Sequence, residues 1–404
     1  MKILQINCVY KTGSTGIITA AIHRELLREG HESIVCYGRR DFYDEPHVYK
    51  TGSEMAGKVN HLIAKVSGMH YGGCRIQTNR LLKLIRQEKP DLVHLQCING
   101  YFINIYRLVS WLKEARIPTV LTLHAEFMYT ANCGYAIGCD RWQTGCGRCP
   151  RRRQAADSWF FDRTAASFRR MEEAFRNFEM LTVVGVSDWI CARAGRSPIL
   201  KDTRMITVYN GIDTDIFIPR DPAPVRESLG LGLQEQVVLF VTPAMDHTKG
   251  GDLFLELTEK MAGSGCRFLV AGAEVPEGYD GEVRFLGRVN GREELAQLYS
   301  AANVVLSCSR LDNYPTVCLE AAACGTPVIG FDTGGVPETV RNGLGAVVPV
   351  GDLDAMAAKI REFMRIPRKV WQDRALPLHE SLSDRRMCRD YIALYQQILG
   401  KEVS

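Results

Sequence analysis

The sequence lacks an apolar run long enough to cross a bilayer and lacks a large excess of either charge. No uninterrupted apolar stretch approaches the about 20 residues that a spanning helix needs, so any membrane contact is expected to be peripheral. The 50 basic and 46 acidic residues leave a net charge of +4. This balance argues against a dedicated nucleic-acid binder and permits weak attraction to an anionic membrane.

Export signals and two common nucleotide-binding loops are also missing. Met1 and Lys2 lead directly into a strand, without the charged, apolar and small-residue regions of a signal peptide, so the 14 cysteines are expected in a reducing cytoplasm. The glycine loop at residues 11–16 (KTGSTG) has neither the Gly-Lys-Ser/Thr ending of a P-loop nor a GxGxxG pattern. Neither ATP hydrolysis nor nicotinamide chemistry is therefore favoured.

What the sequence does contain is a regular alternation of apolar strands with longer amphipathic segments, which is typical of parallel α/β sheets. A chain of 404 residues exceeds one ordinary core, so two domains of roughly 200 residues are expected. A linker is predicted at 210–224, where Gly, Asp and Pro cluster. Strands are predicted at 3–9, 33–37, 92–95, 119–123, 181–184, 205–208, 237–241, 267–270, 283–285, 304–306, 328–329 and 346–348.

The segment 309–329 (SRLDNYPTVCLEAAACGTPVI) places Asp312 and Glu320 eight positions apart, across a turn and the start of a helix. Pro315 suits the first helical turn, whose free amides attract anionic or hydroxyl-rich ligands. A carboxylate at Glu320 can chelate the paired hydroxyls of a ribose, while Asp312 can accept hydrogen bonds from a sugar. The alternative interpretation is a capped surface helix.

This segment resembles the ExxxxxxxE donor-site signature of retaining glycosyltransferases with the GT-B fold, the group 1 family (family 4 type), with Asp312 as the first acid. Its Asp-Asn-X-Pro start resembles the subgroup that builds exopolysaccharide and capsule chains. The NGID at 210–213, followed by Phe217, resembles the family's domain junction. The resemblance implies an α/β GT-B fold, in which two Rossmann-like domains face a central cleft.

The implied domains are an acceptor-side domain at 1–214, with a cysteine-rich insertion at 125–153, and a nucleotide-sugar donor domain at 215–380. A helix at 381–404 would cross back to the first domain. The implied donor contacts come from Asp312 and Glu320 together with Asn313, Tyr314, Pro315, Thr316 and Arg288. Asp312 would also take part in catalysis.

Two further segments could bind the donor diphosphate. Lys249, in VTPAMDHTKGG at 241–251, follows a strand and could neutralise the leaving group; the alternative is an exposed lysine at a helix start. Many relatives place an arginine shortly before this lysine, but the present chain does not, so His247 or a residue elsewhere would have to compensate. Gly13 and Gly16 are implied to cover the diphosphate, although an ordinary turn is an equal alternative from the residues alone.

His124 follows a predicted strand and resembles the family's cleft histidine, which implies contact with the transferred sugar or its developing charge. Residues at the carboxyl ends of parallel strands line ligand crevices in open α/β sheets. Without the resemblance, a histidine after an apolar strand is more often a hydrogen-bonded structural residue. His124, Asp312 and Lys249 are the predicted catalytic residues.

The stretch ANCGYAIGCDRWQTGCGRCP contains Cys133, Cys139, Cys146 and Cys149. Four thiolates bind tetrahedral zinc well, and Cys146 and Cys149 form a CxxC half-site, but the gap from Cys133 to Cys139 is longer than usual. A structural zinc, a disulfide pair and free packing cysteines therefore all stay open. Similar insertions occur in the exopolysaccharide subgroup.

Arginines at 151–153 precede Trp159, Phe160, Phe161 and Phe168. A basic and aromatic flank of this kind can rest on an anionic membrane, and a solvated basic face over core aromatics is the alternative.

The sequence thus predicts a retaining glycosyltransferase in the cytoplasm or at the inner face of the cell membrane, which requires no cofactor for catalysis. Its donor would be a nucleoside diphosphate sugar. Its acceptor would be a saccharide or a saccharide linked to a polyprenyl diphosphate, and cell-surface polysaccharide its product. A nucleotide-sugar epimerase and a non-catalytic saccharide-binding protein are the alternatives.

Overall fold

The structure is a computed structural model that describes residues 1–289 and 291–400. The chain divides into two compact α/β units. Unit 1 consists of Met1–Tyr209 and the segment that begins at Met387, and unit 2 consists of Asn210–Arg386. These divisions lie five or six residues from the domain boundaries predicted from the sequence.

Unit 1 contains a seven-stranded parallel sheet in the order β3-β2-β1-β4-β5-β6-β7. Its central strands are buried along almost their whole length, which explains their nearly continuous apolar sequences. The strands are β1 (Lys2–Asn7), β2 (Glu32–Tyr37), β3 (Val48–Lys50), β4 (Leu92–Leu95), β5 (Thr119–Leu123), β6 (Leu181–Gly185) and β7 (Arg204–Thr207).

The helices of unit 1 begin with recognisable caps in several cases. The Ser53 side chain accepts a hydrogen bond from the amide of Ala56, and Asn104 accepts one from Arg107. These helices are α1 (Gly13–Arg28), α2 (Glu54–Ser67), α3 (Arg75–Glu88), α4 (Ile105–Glu114), α5 (Phe127–Thr130), α6 (Thr164–Phe175) and α7 (Asp188–Ala194), with a 3₁₀ helix at Arg141–Gln143.

Unit 2 contains a six-stranded parallel sheet in the order β10-β9-β8-β11-β12-β13. Its strands are β8 (Gln236–Val241), β9 (Cys266–Ala271), β10 (Arg284–Phe285), β11 (Val304–Ser307), β12 (Val328–Phe331) and β13 (Gly345–Val348). Its helices are α8 (Ala223–Ser228), α9 (Gly251–Lys260), α10 (Arg292–Ala301), α11 (Thr316–Ala323), α12 (Val336–Val340), α13 (Leu353–Met364), α14 (Arg368–Ala375) and α15 (His379–Leu382), with a 3₁₀ helix at Leu376–Leu378.

The sheet of unit 2 is covered on both faces, because successive strand residues point to opposite sides. Val237 and Leu239 of β8 belong to one buried cluster, and Val238 and Phe240 belong to the other. The predicted class, two α/β domains with parallel sheets, is confirmed.

The last helix, α16 (Asp384–Ile398), starts in unit 2 and contributes its residues from Met387 onward to unit 1. Tyr391 and Tyr395 are fully buried there, in a cluster with Ile3 of β1 and Val120 of β5. No helix in the described part of the chain combines the length and the apolar character needed to span a membrane.

Candidate functional site

The sheet of unit 2 has a switch point between β8 and β11, because β9 lies on the other side of β8 although it follows β8 in the chain. Loops after the carboxyl ends of such neighbouring strands diverge to opposite faces and leave a crevice for ligands. The loop after β8 carries Lys249, and the loop after β11 carries Asp312. The topology thus brings together two of the predicted catalytic residues, which are 63 positions apart in sequence.

Lys249 and Asp312 form an ion pair, in which Nζ of the lysine lies 2.8 Å from Oδ2 of the aspartate. Both side chains are largely shielded, with 26% and 15% exposed. The adjacent Gly250 has a left-handed φ of +72°, and a Cβ there would lie 1.8 Å from the carbonyl oxygen of Cys308. Only glycine fits this close approach, which holds the Lys249 loop against the end of β11.

Arg310 is a cation of this site that was not predicted from the sequence. Its Nη1 and Nη2 donate to the two carboxylate oxygens of Asp252 at 2.6 and 2.8 Å, and Nη1 also donates to the carbonyl of His247 at 2.6 Å. The guanidinium lowers the pKa of Asp252 to about 2. Arg310 thus lies beside the Lys249 loop, where the sequence led us to expect a residue from elsewhere to compensate for a missing arginine.

Glu320 lies in the second turn of α11, which begins at Thr316 after an N-cap at Pro315. The carboxylate is half-buried and accepts a hydrogen bond from the hydroxyl of Tyr299 at 2.9 Å. Burial raises the pKa of Glu320, and the Tyr299 hydroxyl, the charge of Arg292 and the Thr316 hydroxyl oppose this rise. Arg292 is therefore another cation near the site that the sequence did not single out.

The remaining predicted donor residues of unit 2 differ in their surroundings. Asn313 is buried, and Tyr314 is half-buried with a phenol pKa raised to about 12 by burial. The backbone carbonyl of Asp312 is held by the amide of Gly335, which follows β12. Arg288, in contrast, is exposed and follows β10 at the outer edge of the sheet, two strands from the switch point.

The sheet of unit 1 has its own switch point between β1 and β4. The predicted glycine loop after β1 is shorter than expected, because α1 already begins at Gly13, which has a φ of +63°. Gly16 lies inside the helix and is buried; a Cβ there would lie 3.1 Å from Cγ2 of Val9 and 3.2 Å from the amide nitrogen of Lys11. The structure thus gives Gly16 a packing role, and donor contact by either glycine stays a prediction.

His124 follows β5, the neighbour of β4. Burial lowers its pKa to about 4, so the imidazole is neutral at pH 7. Nε2 lies 2.8 Å from Oε1 of Gln96 and donates to it, because an amide oxygen can only accept. Gln96 thereby determines which nitrogen of His124 carries the proton.

Gln96 is also part of a fully buried polar network. Its Nε2 donates to Oε1 of Gln5 at 3.2 Å and to Nδ1 of His94 at 3.3 Å, so the proton of His94 must be on Nε2. That nitrogen lies 2.7 Å from Oγ1 of Thr122, and the hydroxyl of Tyr395 lies 2.6 Å from Nδ1. The network connects the ends of β4 and β5 to α16, which the sequence pattern did not indicate.

The four clustered cysteines have free thiols, as do the other ten cysteines of the chain. Burial raises the pKa of Cys133 and of Cys146 to about 12, and the neighbouring thiols of the cluster add to both shifts. Within residues 1–289 and 291–400, no group of three or more His, Cys, Asp or Glu side chains is arranged to hold a metal. Because all four thiols are free, the structure contains no disulfide at this cluster. A structural zinc at Cys133, Cys139, Cys146 and Cys149 stays a prediction.

Two protein-family models match this chain, one in each half. The model of Glycosyltransferase Family 4 matches residues 16–216, and the model of Glycosyl transferases group 1 matches residues 224–375. Both models describe glycosyltransferases, and together they match most of the chain, which therefore belongs to this broad class. The second match includes Lys249, Arg310, Asp312 and Glu320.

Curated relatives match part or most of the chain. The D-inositol 3-phosphate glycosyltransferase of Mycobacterium avium (strain 104) is 36% identical over 179 residues, 41% of this chain and 42% of that protein. The chain's match thus spans about two fifths of that relative's length. A protein of Escherichia coli (strain K12) that is provisionally named as the colanic acid biosynthesis glycosyl transferase WcaC is 23% identical over 373 residues, which cover 86% of this chain and 87% of that one.

Solved structures share the fold over almost the whole chain. The sucrose-phosphate synthase of Thermosynechococcus elongatus has a TM-score of 0.70 and 18% identity, over 99% of this chain and 100% of that one. The Anabaena Alr3699/HepE structure in complex with UDP-glucose has a TM-score of 0.64 and 15% identity, over 98% and 100%. The predicted GT-B fold is thereby confirmed.

Proposed function

We propose that this protein transfers a sugar from a nucleoside diphosphate sugar to a saccharide or lipid-linked saccharide, with retention at the anomeric carbon, in cell-surface polysaccharide synthesis. The observation that supports this best is the ion pair of Lys249 and Asp312 at the switch point of unit 2, with Glu320 in the helix that follows. The Anabaena structural neighbour was solved in complex with UDP-glucose, and the relative from Escherichia coli, which matches most of the chain, is named for colanic acid synthesis. The first supports the donor class, and the second supports the polysaccharide role.

In this proposal the nucleotide is held by unit 2. Glu320 accepts hydrogen bonds from the ribose hydroxyls, as a carboxylate can bind two neighbouring hydroxyls at once. Lys249 and Arg310 donate charge-assisted hydrogen bonds to the diphosphate. In the free protein these cations are neutralised by Asp312 and Asp252, so the diphosphate competes with two carboxylates for them.

The chemical step exchanges one bond at the anomeric carbon for another. The bond from this carbon to the diphosphate oxygen breaks, the acceptor hydroxyl oxygen forms the new bond, and the hydroxyl proton leaves with the diphosphate. Fixed donors that stabilise the departing charge are expected to provide the largest part of the catalysis. Asp312 and the free amides at the start of α11 position the sugar, and contact of the sugar with His124 stays a prediction from the sequence. No step requires a metal or a cofactor.

The test is the release of nucleoside diphosphate from UDP-, GDP- and ADP-sugars, measured with and without a lipid extract that contains lipid-linked saccharides. We expect release from one donor class that depends on the extract, with a glycosylated lipid as the second product. Asp312→Asn should lower this turnover. Conversion of the donor sugar without acceptor would instead indicate an epimerase, and donor binding without any turnover would indicate a binding protein. The cytoplasmic location stays a prediction.

A further inference from the structure

Helix α2 of unit 1 exposes its apolar side and buries its small residues, which is the reverse of an ordinary surface helix. Its large apolar side chains are 40–72% exposed. They recur at spacings of three and four residues, so they lie on one face of the helix, hereafter the apolar α2 face. The residues of this face are Met55, Val59, Leu62, Ile63 and Val66.

The opposite side of α2 is fixed against unit 1 by small and polar residues. A Cβ at Gly57 would lie 2.5 Å from Nη1 of Arg39, and Ala64 is buried. The side chain of Asn60 accepts a hydrogen bond from the amide of Cys74 at 3.1 Å. These contacts set the rotation of the helix, so the apolar α2 face points outward because its inner side has defined partners.

A second apolar segment continues this surface at the end of α2. Trp159, Phe160 and Phe161 are 41–62% exposed, whereas Phe168 of the predicted membrane flank is buried in α6. The amide of Trp159 donates to the carbonyl of Lys65 at 2.8 Å. The carbonyl oxygen of Phe161 lies so close to Gly68 that a Cβ there would be 2.3 Å from it.

Cations surround both apolar segments. Lys58 is exposed on α2. Nζ of Lys65 lies over the Trp159 ring, 5.6 Å from its centroid, and also forms an ion pair with Asp157 at 3.3 Å. Arg152 donates to the carbonyls of Trp159 and Phe160 at 3.0 and 2.7 Å. Arg163 lies over the ring of Phe161 at 5.9 Å. Aromatic rings flanked by basic side chains are suited to the boundary between acyl chains and anionic headgroups.

We propose that the apolar α2 face, together with Trp159, Phe160 and Phe161, docks unit 1 on an anionic lipid bilayer. The 14 residues of α2 form a helix of roughly 21 Å, which would lie in the plane of the membrane surface. This inference rests on the proposed function, because a lipid-linked acceptor would lie in the membrane on which unit 1 docks.

Charge favours lipid over a second copy of the chain as the occupant of this surface. A two-fold symmetric dimer would place the same surface of both copies face to face. The cations at Lys58, Arg152 and Arg163 of both copies would then lie in one interface, which disfavours such a contact because like charges repel. Anionic headgroups compensate these charges while the acyl region accepts the apolar side chains.

The experiment is flotation of the full chain with phosphatidylcholine vesicles, with and without phosphatidylglycerol, at low and high salt. The wild type should bind the anionic vesicles and lose most of this binding without phosphatidylglycerol or in high salt. The double variant Leu62→Gln/Ile63→Gln should bind at least about tenfold more weakly. Both side chains are exposed, so their replacement leaves the core of unit 1 intact.

The matched control is Leu233→Gln, which replaces a leucine that is 62% exposed on unit 2 and should not change vesicle binding. A Lys58→Gln variant should bind more weakly mainly at low salt. The proposal would be overturned if the wild type does not bind anionic vesicles, or if the Leu62→Gln/Ile63→Gln variant binds them as the wild type does. So would a vesicle-independent dimer that the double variant abolishes.

Nucleotide binding measured on the same preparations separates this inference from the proposed function. The double variant should bind the donor nucleotide as the wild type does, because α2 contains none of the predicted donor-binding residues. Vesicle binding without any donor turnover would leave the docking surface in place and contradict the proposed function alone.

Discussion

The ion pair of Lys249 and Asp312 leads to a prediction in which two substitutions have opposite effects on nucleotide binding. Lys249→Ala removes a cation and leaves the Asp312 carboxylate without its partner at 2.8 Å. Loss of a hydrogen bond from a charged donor costs about 1.5–3 kcal/mol, which corresponds to roughly 10- to 150-fold weaker binding of a nucleoside diphosphate. The uncompensated carboxylate would repel the phosphates and add to this loss.

Asp312→Asn should act in the other direction on the same measurement. It removes the carboxylate that competes with the diphosphate for Lys249, so the nucleotide should bind at least as tightly as it does to the wild type. Turnover should nevertheless fall, because Asp312 is proposed to position the sugar. The double variant should bind the nucleotide more tightly than Lys249→Ala alone, since residues in direct contact have non-additive effects.

Isothermal titration with the nucleoside diphosphate of the preferred donor measures these differences. Lys260→Ala is the matched control, because Lys260 also forms a 2.8 Å ion pair, with Asp354, but lies at the other end of α9. Lys249→Ala that binds the nucleotide within about twofold of the wild type would refute a role of this lysine in nucleotide binding. Asp312→Asn that weakens binding as strongly as Lys249→Ala would refute the competition between the carboxylate and the diphosphate.

Three further predictions concern buried polar groups. Because the pKa of Glu320 is raised, the folded chain keeps this proton to a higher pH than the unfolded chain does, and the free energy of unfolding falls as the pH rises above 4.5. Glu320→Gln should therefore raise the melting temperature relative to the wild type at neutral pH but not in acid. Arg226, which is 2% exposed, donates to four backbone carbonyls and to the side-chain oxygen of Asn303; Arg226→Met should lower the unfolding free energy in urea by about 3 kcal/mol or more. Gln96→Glu should raise the pKa of His124 from about 4, because a carboxylate favours the imidazolium, and should shift the acid limb of the pH–rate profile upward.

A specific result would contradict each of these three predictions. A Glu320→Gln variant that gains as much stability in acid as at neutral pH would mean that the carboxyl's ionisation is not the cause. A loss below about 1 kcal/mol for Arg226→Met would show that water satisfies the exposed carbonyls. An unchanged pH profile for Gln96→Glu, with activity retained, would remove His124 from the reaction.

The strands of both sheets could be predicted from local pattern because buried parallel strands are short apolar runs. The predicted 92–95 and 119–123 coincide with β4 and β5. Strand β3 could not be predicted, because only Val48 of its three residues is buried. The outward rotation of α2 could not be predicted either, since apolar residues at helical spacing ordinarily indicate a buried face.

The candidate site was predictable residue by residue but not as an arrangement. Lys249, Asp312 and Glu320 each stand in a recognisable motif, whereas the strand order that places β8 beside β11 is not a local property. For that reason Arg310 was missed, although it lies only two residues before Asp312 in the same motif. The network that joins His124 to α16 depends on contacts across some 300 positions of the chain.

The central claim is that the switch point of unit 2 binds a nucleoside diphosphate. The most direct measurement is the thermal shift of the wild type and of Glu320→Gln with UDP, GDP, ADP and their sugar conjugates, because a ligand that binds only the folded state raises its melting temperature. We predict that one nucleotide class raises the melting temperature of the wild type and that Glu320→Gln loses most of this shift. No shift with any nucleotide, or an equal shift in both proteins, would contradict the claim.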